Sequence, residues 1–283
     1  MHGDSMKNIK VGCFGDVVGS SGRAIFQKYI AMLKKEHNLD GIIVNGENSC
    51  STGRGISTKN VHFFQHHDVN IITSGNHIFQ NKDIYAYLDT KKDLIRPANF
   101  PSTAPGTGAA TFTSESGFTI AVINIQGRVF MRELLACPFK TVESLIPFLQ
   151  QKTKCIFVDI HAETTAEKMA IGHFLDGKVS AVFGTHTHVQ TADERILPGG
   201  TAFITDLGMA GALNGMLGMK KEPVIQNFIS QMPTKFEVDT SLPLVLSGIV
   251  VTLDPISGQA KNIERIRILD QNITVAPEDT QKK

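Results

Sequence analysis

The sequence has no tryptophan and only four cysteines among its 283 residues. The cysteines are far apart and form no CxxC pair, which argues against a disulfide scaffold and a cysteine-type zinc finger. No run approaches the roughly 18 consecutive apolar residues that a membrane helix requires, and the first residues do not resemble a secretory signal peptide. We therefore expect a cytoplasmic protein that does not bind membranes.

The chain also has almost no net charge. Lys and Arg number 28 against 27 Asp and Glu, which leaves a formal charge of +1 with neutral histidines. This balance argues against binding RNA or anionic lipid mainly through bulk charge. Because no repeat or low-complexity linker divides the chain, we expect a single domain at residues 7–270, with tails at 1–6 and 271–283.

Short β-branched apolar runs alternate with helical patterns along the chain. We predict strands at residues 9–14, 41–44, 69–73, 109–113, 119–125, 155–160, 180–183, 202–204, 245–253 and 263–269. The segments 109–125 and 245–269 have the turn chemistry of hairpins. Helical spacing predicts helices after Ser20 or Ser21 as N-cap, at 142–149, from a Thr164/Glu167 capping box to 174, and from Pro223. This alternation predicts an α/β protein with a mixed sheet or two packed sheets.

Polar side chains follow five of these strands in turn. They are carboxylates, carboxamides and imidazoles: Asp16, Glu47, Asn48, Asn76, His77, His161, His186 and His188. Any one of them alone has an ordinary explanation as an N-cap, a turn residue or a buried hydrogen-bonded group. Ligands of open α/β sheets gather beyond the carboxyl ends of strands, so five successive polar strand ends favour one common site.

The chemistry of this set indicates a metal centre. His186 and His188 stand at i and i+2, and in an extended chain their imidazoles leave the same face. Oxygen and nitrogen donors without thiolate suit Fe, Mn, Zn or Mg. Seven ligands are too many for one tetrahedral ion but suit two ions that share a carboxylate, as in phosphatases and nucleases.

The motifs GD, NGEN, SGNH and GTHTH, in that order, resemble those of the calcineurin-like metallophosphoesterases. The longer strings GCFGDVVGSSGR and GTHTHVQTADERILPGG resemble the bacterial YmdB-type branch, and the likeness extends from about Lys7 to the 260s. That branch is described as metal-dependent 2′,3′-cyclic nucleotide phosphodiesterases. The resemblance implies a four-layer α/β/β/α sandwich with mixed sheets and a dinuclear centre, often described with iron.

The resemblance also implies a ligand assignment for this sequence. One ion would be held by Asp16, Glu47, Asn48 and His188. Glu47 would bridge to a second ion held by Asn76, His161 and His186.

Two departures from the superfamily pattern bear on that assignment, and a departure from the YmdB-type branch bears on how His77 is oriented. The D-x-H of the superfamily is Asp16-Val17-Val18 here, and Asn48 is the natural replacement for the missing histidine. Glu47 stands where the superfamily has a bridging aspartate. After SGNH, the residues Ile78-Phe79-Gln80 lack the acid that is common in the YmdB-type branch.

These expectations describe an enzyme that hydrolyses a small phosphodiester or nucleotide, with RNA ends as a further candidate substrate. A homo-oligomer is one option for its assembly, which the sequence leaves open. His77, beside the ligand Asn76, is the expected general acid, with phosphate positioning as its alternative role. A regulatory RNA- or protein-binding factor that keeps the metal site is the alternative function. A dinucleotide loop at Gly15, Gly19 and Gly22 has the wrong spacing for GxGxxG.

A few residues near these motifs remain open. Arg23, Arg54 and Arg128 could neutralise a phosphate or lie solvated on the surface. Glu163 could orient a ligand histidine or begin a helix. The Gly- and Met-rich segment 207–219 could be a mobile rim or a tight structural crossing.

Overall fold

The computed structural model describes residues 7–276 of the chain. The strands are β1 Ile9–Phe14, β2 Asp16–Val17, β3 Gly41–Asn45, β4 Ile71–Thr73, β5 Ala109–Thr113, β6 Thr119–Gln126, β7 Ile156–His161, β8 Ala181–Thr185, β9 Arg195–Ile196, β10 Ala202–Ile204, β11 Met209–Ala212, β12 Leu244–Leu253 and β13 Ala260–Asp270. The helices are α1 Gly19–His37, α2 Thr58–His66, α3 Ile84–Thr90, α4 Pro138–Gln150, α5 Thr165–Leu175 and α6 Lys221–Ser230. Of the predicted tails, residues 1–6 and 277–283 lie outside the described residues, while Ile273 and Val275 pack against the core.

The strands form two mixed sheets. The first sheet has the order β2-β11-β12-β1-β3-β4, with β13 paired to β12, and its strands β1, β3 and β4 are parallel. The second has the order β5-β6-β7-β8-β10-β9, in which β6, β7, β8 and β10 are parallel. Both predicted hairpins are present, as the antiparallel pairs β5/β6 and β12/β13.

Three apolar clusters separate four layers of structure. Phe26 of α1 and Phe64 of α2 pack against the outer face of the first sheet. Val11 and Phe157 lie between the two sheets, and Ile146 of α4 packs against the outer face of the second sheet. Successive strand side chains point to opposite faces, so strands covered on both sides appear as continuous apolar runs in the sequence. The expected four-layer α/β/β/α sandwich with mixed sheets is confirmed.

Two predicted helix starts are wrong. Helix α1 begins at Gly19 after Val18, so Ser20 and Ser21 lie within its first turn and do not cap it. Helix α6 begins two residues before Pro223, which is tolerated there because the first turn needs no donor from it.

The capping box predicted for α5 is half formed. The Thr164 hydroxyl accepts the backbone N–H of Glu167, but the Glu167 carboxylate accepts from Arg128 and Val129 instead of closing the box. Glu167 thus fastens a neighbouring loop to α5.

The first part of the Gly- and Met-rich segment 207–219 is a tight structural crossing, as one of its two interpretations predicted. Its residues Met209–Ala212 form β11, which is buried between β2 and β12.

The parallel strands of both sheets place their carboxyl ends at one edge of the sandwich. The chain leaves β1, β3 and β4 of the first sheet there, opposite the ends of β7 and β8 of the second. No helix within residues 7–276 is long and apolar enough to cross a membrane.

Candidate metal centre

The fully buried imidazole of His161, at the end of β7, lies at the middle of a cluster of donor atoms. Its Nε2 is 3.0 Å from Glu47 Oε1, 3.0 Å from Asn76 Oδ1 and 3.1 Å from His186 Nδ1. One ring nitrogen carries either one proton or one lone pair, so it cannot form three hydrogen bonds at once. Four potential ligand atoms so close together suit a cation, which would take the place of a proton on His161, and Glu47, His161 and His186 form a group that could hold a metal ion.

The charges within this cluster favour metal-binding forms of two residues. Burial opposes ionisation of Glu47, but the His161 imidazole outweighs it and lowers the pKa of Glu47 to about 2. Burial opposes protonation of His161, but the Glu47 carboxylate raises the pKa of His161 to about 9. Burial, followed by the charge of His161, lowers the pKa of His186 to about 3. Glu47 is therefore ionised and His186 neutral over the physiological pH range.

A second group of predicted ligands lies beside the first. Asp16 Oδ2 accepts the backbone N–H of His186 at 3.1 Å, and Asp16 Oδ1 is 3.8 Å from His188 Nε2. Burial raises the pKa of Asp16. Asn48 donates its Nδ2 to the Gly53 carbonyl at 2.9 Å, which fixes which way its amide faces.

Two oxygens of this second group have no hydrogen-bond partner among the described residues. They are Asp16 Oδ1 and Asn48 Oδ1, and both are buried. Because a buried polar oxygen without a partner is costly, the pair fits a position meant for a bound cation.

The backbone conformation of the two histidines in GTHTH differs from the predicted extended one. His186 and His188 have φ of 96° and 63°, so the chain after β8 is not extended and the same-face prediction is wrong. This left-handed backbone is strained for histidine and sends the side chains to separate partners. His188 Nδ1 is 3.0 Å from the Leu217 carbonyl, so Nε2 faces Asp16.

Glu163 orients His186, one of the two roles considered for it. Its Oε2 is 3.0 Å from His186 Nε2, which leaves Nδ1 as the atom that faces His161. A carboxylate on the far nitrogen commonly fixes the tautomer of a metal-binding histidine.

The sequence motifs did not reveal the polar network beneath the cluster. Asp159 of β7 is fully buried and accepts from Thr73 at 2.5 Å, from Thr185 at 2.7 Å and from Asn45 at 3.3 Å. Burial raises the pKa of Asp159 to about 7. The Thr185 hydroxyl also lies 3.0 Å from His161 Nδ1, so the network joins the two sheets and positions His161. The only indication of this network in the sequence was one acidic residue, Asp159, within the apolar run CIFVDI.

The half-buried His77 lies next to the cluster. Its backbone N–H donates to Glu47 Oε2 at 3.0 Å. Burial lowers the pKa of His77, and the Glu47 carboxylate opposes this shift. The charge of Arg54 lowers the pKa further, whereas the charge of Glu133 raises it. Glu133, from the loop after β6, thus brings a carboxylate near His77 although SGNH has no acid after it.

The sequence of this chain is similar to those of known proteins. A family model described as "YmdB-like protein" matches residues 13–266. The chain belongs to the YmdB-like family. It is 44% identical over 259 residues to the 2′,3′-cyclic-nucleotide 2′-phosphodiesterase of Bacillus subtilis (strain 168), a match that covers 92% of this chain and 97% of that protein.

Two solved structures share the fold of this YmdB-like chain. A crystal structure of a novel phosphatase from Mycoplasma pneumoniae has a TM-score of 0.87 at 37% identity and covers 94% of this chain and 95% of its own. A hypothetical protein from Thermus thermophilus has a TM-score of 0.86 at 29% identity and covers 93% and 100%. The likeness therefore spans nearly the whole chain.

Proposed function

We propose that the chain is a phosphodiesterase that hydrolyses small phosphodiesters, chiefly 2′,3′-cyclic nucleotides, with two bound metal ions. The observation that carries this proposal is the cluster around His161, at the edge where the two sheets end. The similarity to a Bacillus subtilis 2′,3′-cyclic-nucleotide 2′-phosphodiesterase supports the choice of substrate. RNA that ends in a 2′,3′-cyclic phosphate presents the same group and is a further proposed substrate. We also propose that the enzyme acts in the cytoplasm and can form homo-oligomers.

The donor atoms divide between the two ions as the family resemblance implies. One ion would be held by Asp16, Glu47, Asn48 and His188, and the second by Glu47, Asn76, His161 and His186. We propose iron first, with manganese, zinc and magnesium as alternatives, because these oxygen and nitrogen donors accept several first-row ions. When bound, the ions would supply an activated water and neutralise charge on the phosphate.

The proposed role of His77 is general acid. Its backbone N–H donates to Glu47 Oε2, which places His77 beside the proposed centre without its ring being needed as a ligand. Hydrolysis of the bond to the 2′-oxygen adds hydroxide to phosphorus and requires one proton on the departing oxygen. His77 donates that proton from its imidazolium form and becomes neutral as the departing oxygen becomes a hydroxyl.

Turnover of 2′,3′-cyclic AMP tests this proposal. The product would be separated by chromatography after incubation of the full chain with Mn²⁺ or Fe²⁺, and after treatment with a chelator. We expect 3′-AMP with metal, loss of turnover on chelation, and recovery when metal is restored. Absent or metal-independent turnover, together with tight binding of RNA, would favour the regulatory factor instead.

A further inference from the structure

Phe130 is an exposed aromatic residue on the β6–α4 loop (residues 127–137). Its side chain is 86% exposed, whereas other phenylalanines near the site motifs, such as Phe64, are buried in the core. Its φ of 61° lies in the left-handed region, which is strained for a bulky residue. Strain of this kind persists where the surrounding structure fixes the backbone, and it clusters at functional sites.

The first part of this loop is fastened beside the metal cluster. The Gly127 N–H donates to the backbone carbonyl of His161 at 3.0 Å. The buried Glu167 carboxylate accepts the N–H of Arg128 at 3.0 Å and that of Val129 at 3.2 Å. Phe130 therefore follows directly on a segment that is held in place by hydrogen bonds.

The loop returns to the site three residues after Phe130. Gln126, paired in register with His161, donates its Nε2 to Glu133 Oε2 at 2.9 Å. Because Gln126 is the strand partner of His161, Glu133 lies at the same edge of the sheets as the metal cluster. Three residues span at most about 11 Å, so the backbone of Phe130 lies within that distance of Glu133.

Gln126 also has an unused acceptor. Its side chain is fully buried, and because Nε2 is bound to Glu133, Oε1 is the free end of the amide. That oxygen has no hydrogen-bond partner within residues 7–276. Leaving this acceptor unpaired is costly, and the structure accepts that cost where β6 leads into the loop that carries Phe130.

From these observations we infer that the β6–α4 loop recognises the nucleoside part of the substrate. Phe130 stacks on the nucleobase, and the hydrogen bond from Gln126 to Glu133 holds the returning part of the loop at the site. This inference rests on the proposed phosphodiesterase function and adds to it a preference for nucleotides over phosphodiesters that have no base. Aromatic stacking tolerates different bases because every base has a π-face.

The test compares two substrates in the full-length, metal-loaded protein. Phe130→Ala should raise KM for 2′,3′-cyclic AMP by roughly 5- to 100-fold, the effect of losing one base–aromatic stack. The KM for glycerol 1,2-cyclic phosphate, which has no base, should change by less than about twofold because it lacks the stacking partner. Phe130→Tyr should restore KM for the nucleotide, and the affinity for 3′-AMP measured by calorimetry should follow the same order.

Phe148→Ala is the matched control. Phe148 is 67% exposed near the end of α4, close to where the Thr153 hydroxyl contacts the start of β6, at the opposite end of that strand from the site. Its replacement should leave both KM values unchanged.

Three results would overturn the inference. Equal changes for both substrates in Phe130→Ala would make Phe130 a support of the site, and no change for either would remove it from substrate binding. A lower oligomeric mass in size-exclusion chromatography with unaltered substrate discrimination would make it an interface residue. If the unaltered protein hydrolyses neither substrate, it is the proposed function that fails.

Discussion

At the scale of single residues, Asn48 is the least ordinary ligand in the proposed centre. Its Nδ2 is committed to the Gly53 carbonyl, so the buried Oδ1 is left for a cation. Asn48→Ala should lower the metal content from two ions per chain to about one, because loss of a single ligand weakens one site of a dinuclear pair. Elemental analysis of the purified variant measures this.

The matched control for Asn48 is Asn81→Ala. Asn81 lies near the same loop but donates to Cys50 and the Ile56 carbonyl. It should keep both ions, and an equal loss of metal in the two variants would contradict the role of Asn48.

Replacement of His77 should impair catalysis without impairing metal binding. His77→Ala should keep the metal content of the unaltered protein while kcat for 2′,3′-cyclic AMP falls by at least about a hundredfold, the usual contribution of a general acid. Steady-state kinetics and elemental analysis on one preparation measure both. Near-normal turnover would show that His77 does not donate the proton.

Residue types alone predicted the set that meets around His161, because oxygen and nitrogen donors follow one strand after another. They did not predict Asp159, because a lone acid in a strand carries no sign of its partners Thr73 and Thr185 on two other strands. The conformations of His186 and His188 were also beyond prediction, since φ depends on how the chain turns after β8.

At the scale of elements, the loop after β4 must pass very close to β7. A Cβ on Gly75 would collide with the ring of His161, so only glycine fits beside that imidazole. Gly75→Ala should displace His161 and cause loss of metal, as measured by elemental analysis, while circular dichroism still shows a folded protein.

Gly117→Ala serves as its control. The added Cβ would meet nothing within 4 Å, although φ is +84°, so a modest loss of stability with full metal content is expected. Full metal retention in Gly75→Ala would contradict the close packing of this loop on His161.

A buried ion pair ties α5 to the segment after β10. Lys168 Nζ lies 2.6 Å from Asp206 Oδ2, and both side chains are 1% exposed. Lys168→Met would leave the Asp206 carboxylate buried without its cation, at a cost of about 3–5 kcal/mol in the free energy of unfolding. Urea denaturation measures this cost.

An exposed pair provides the comparison. Lys140 and Glu143 are 3.0 Å apart on the surface of α4, and Lys140→Met should cost less than about 1 kcal/mol. Equal unfolding free energies for the two variants would show that the buried pair is not needed for stability.

The longer elements were predictable because covered strands and amphipathic helices leave regular apolar patterns. The short strands β2, β9 and β11 were not, since two to four residues carry no pattern and become strands only by pairing with neighbours. Helix α1 begins at Gly19 for a similar reason: the chain enters it from β2, and no capping side chain marks the start.

At the scale of the whole molecule, the nearly neutral charge and the layered fold agree with one another. The formal charge of +1 offers no general attraction for a phosphate. The two sheets instead bring their carboxyl ends to one edge, where acidic and imidazole side chains would gather positive charge as bound metal. This placement depends on the order of the strands and on strand pairs that are far apart in the sequence. The sequence therefore predicted that the site residues meet, but not the distances and angles between them.

The central claim is that seven side chains of this fold hold two metal ions. Anomalous diffraction at the Fe and Mn edges, from crystals of the metal-loaded protein, tests it most directly. Two peaks are expected about 3.5–4 Å apart. One should lie within bonding distance of Asn76, His161 and His186, the other within bonding distance of Asp16, Asn48 and His188, with Glu47 between them. A single peak, or peaks away from these side chains, would contradict the claim.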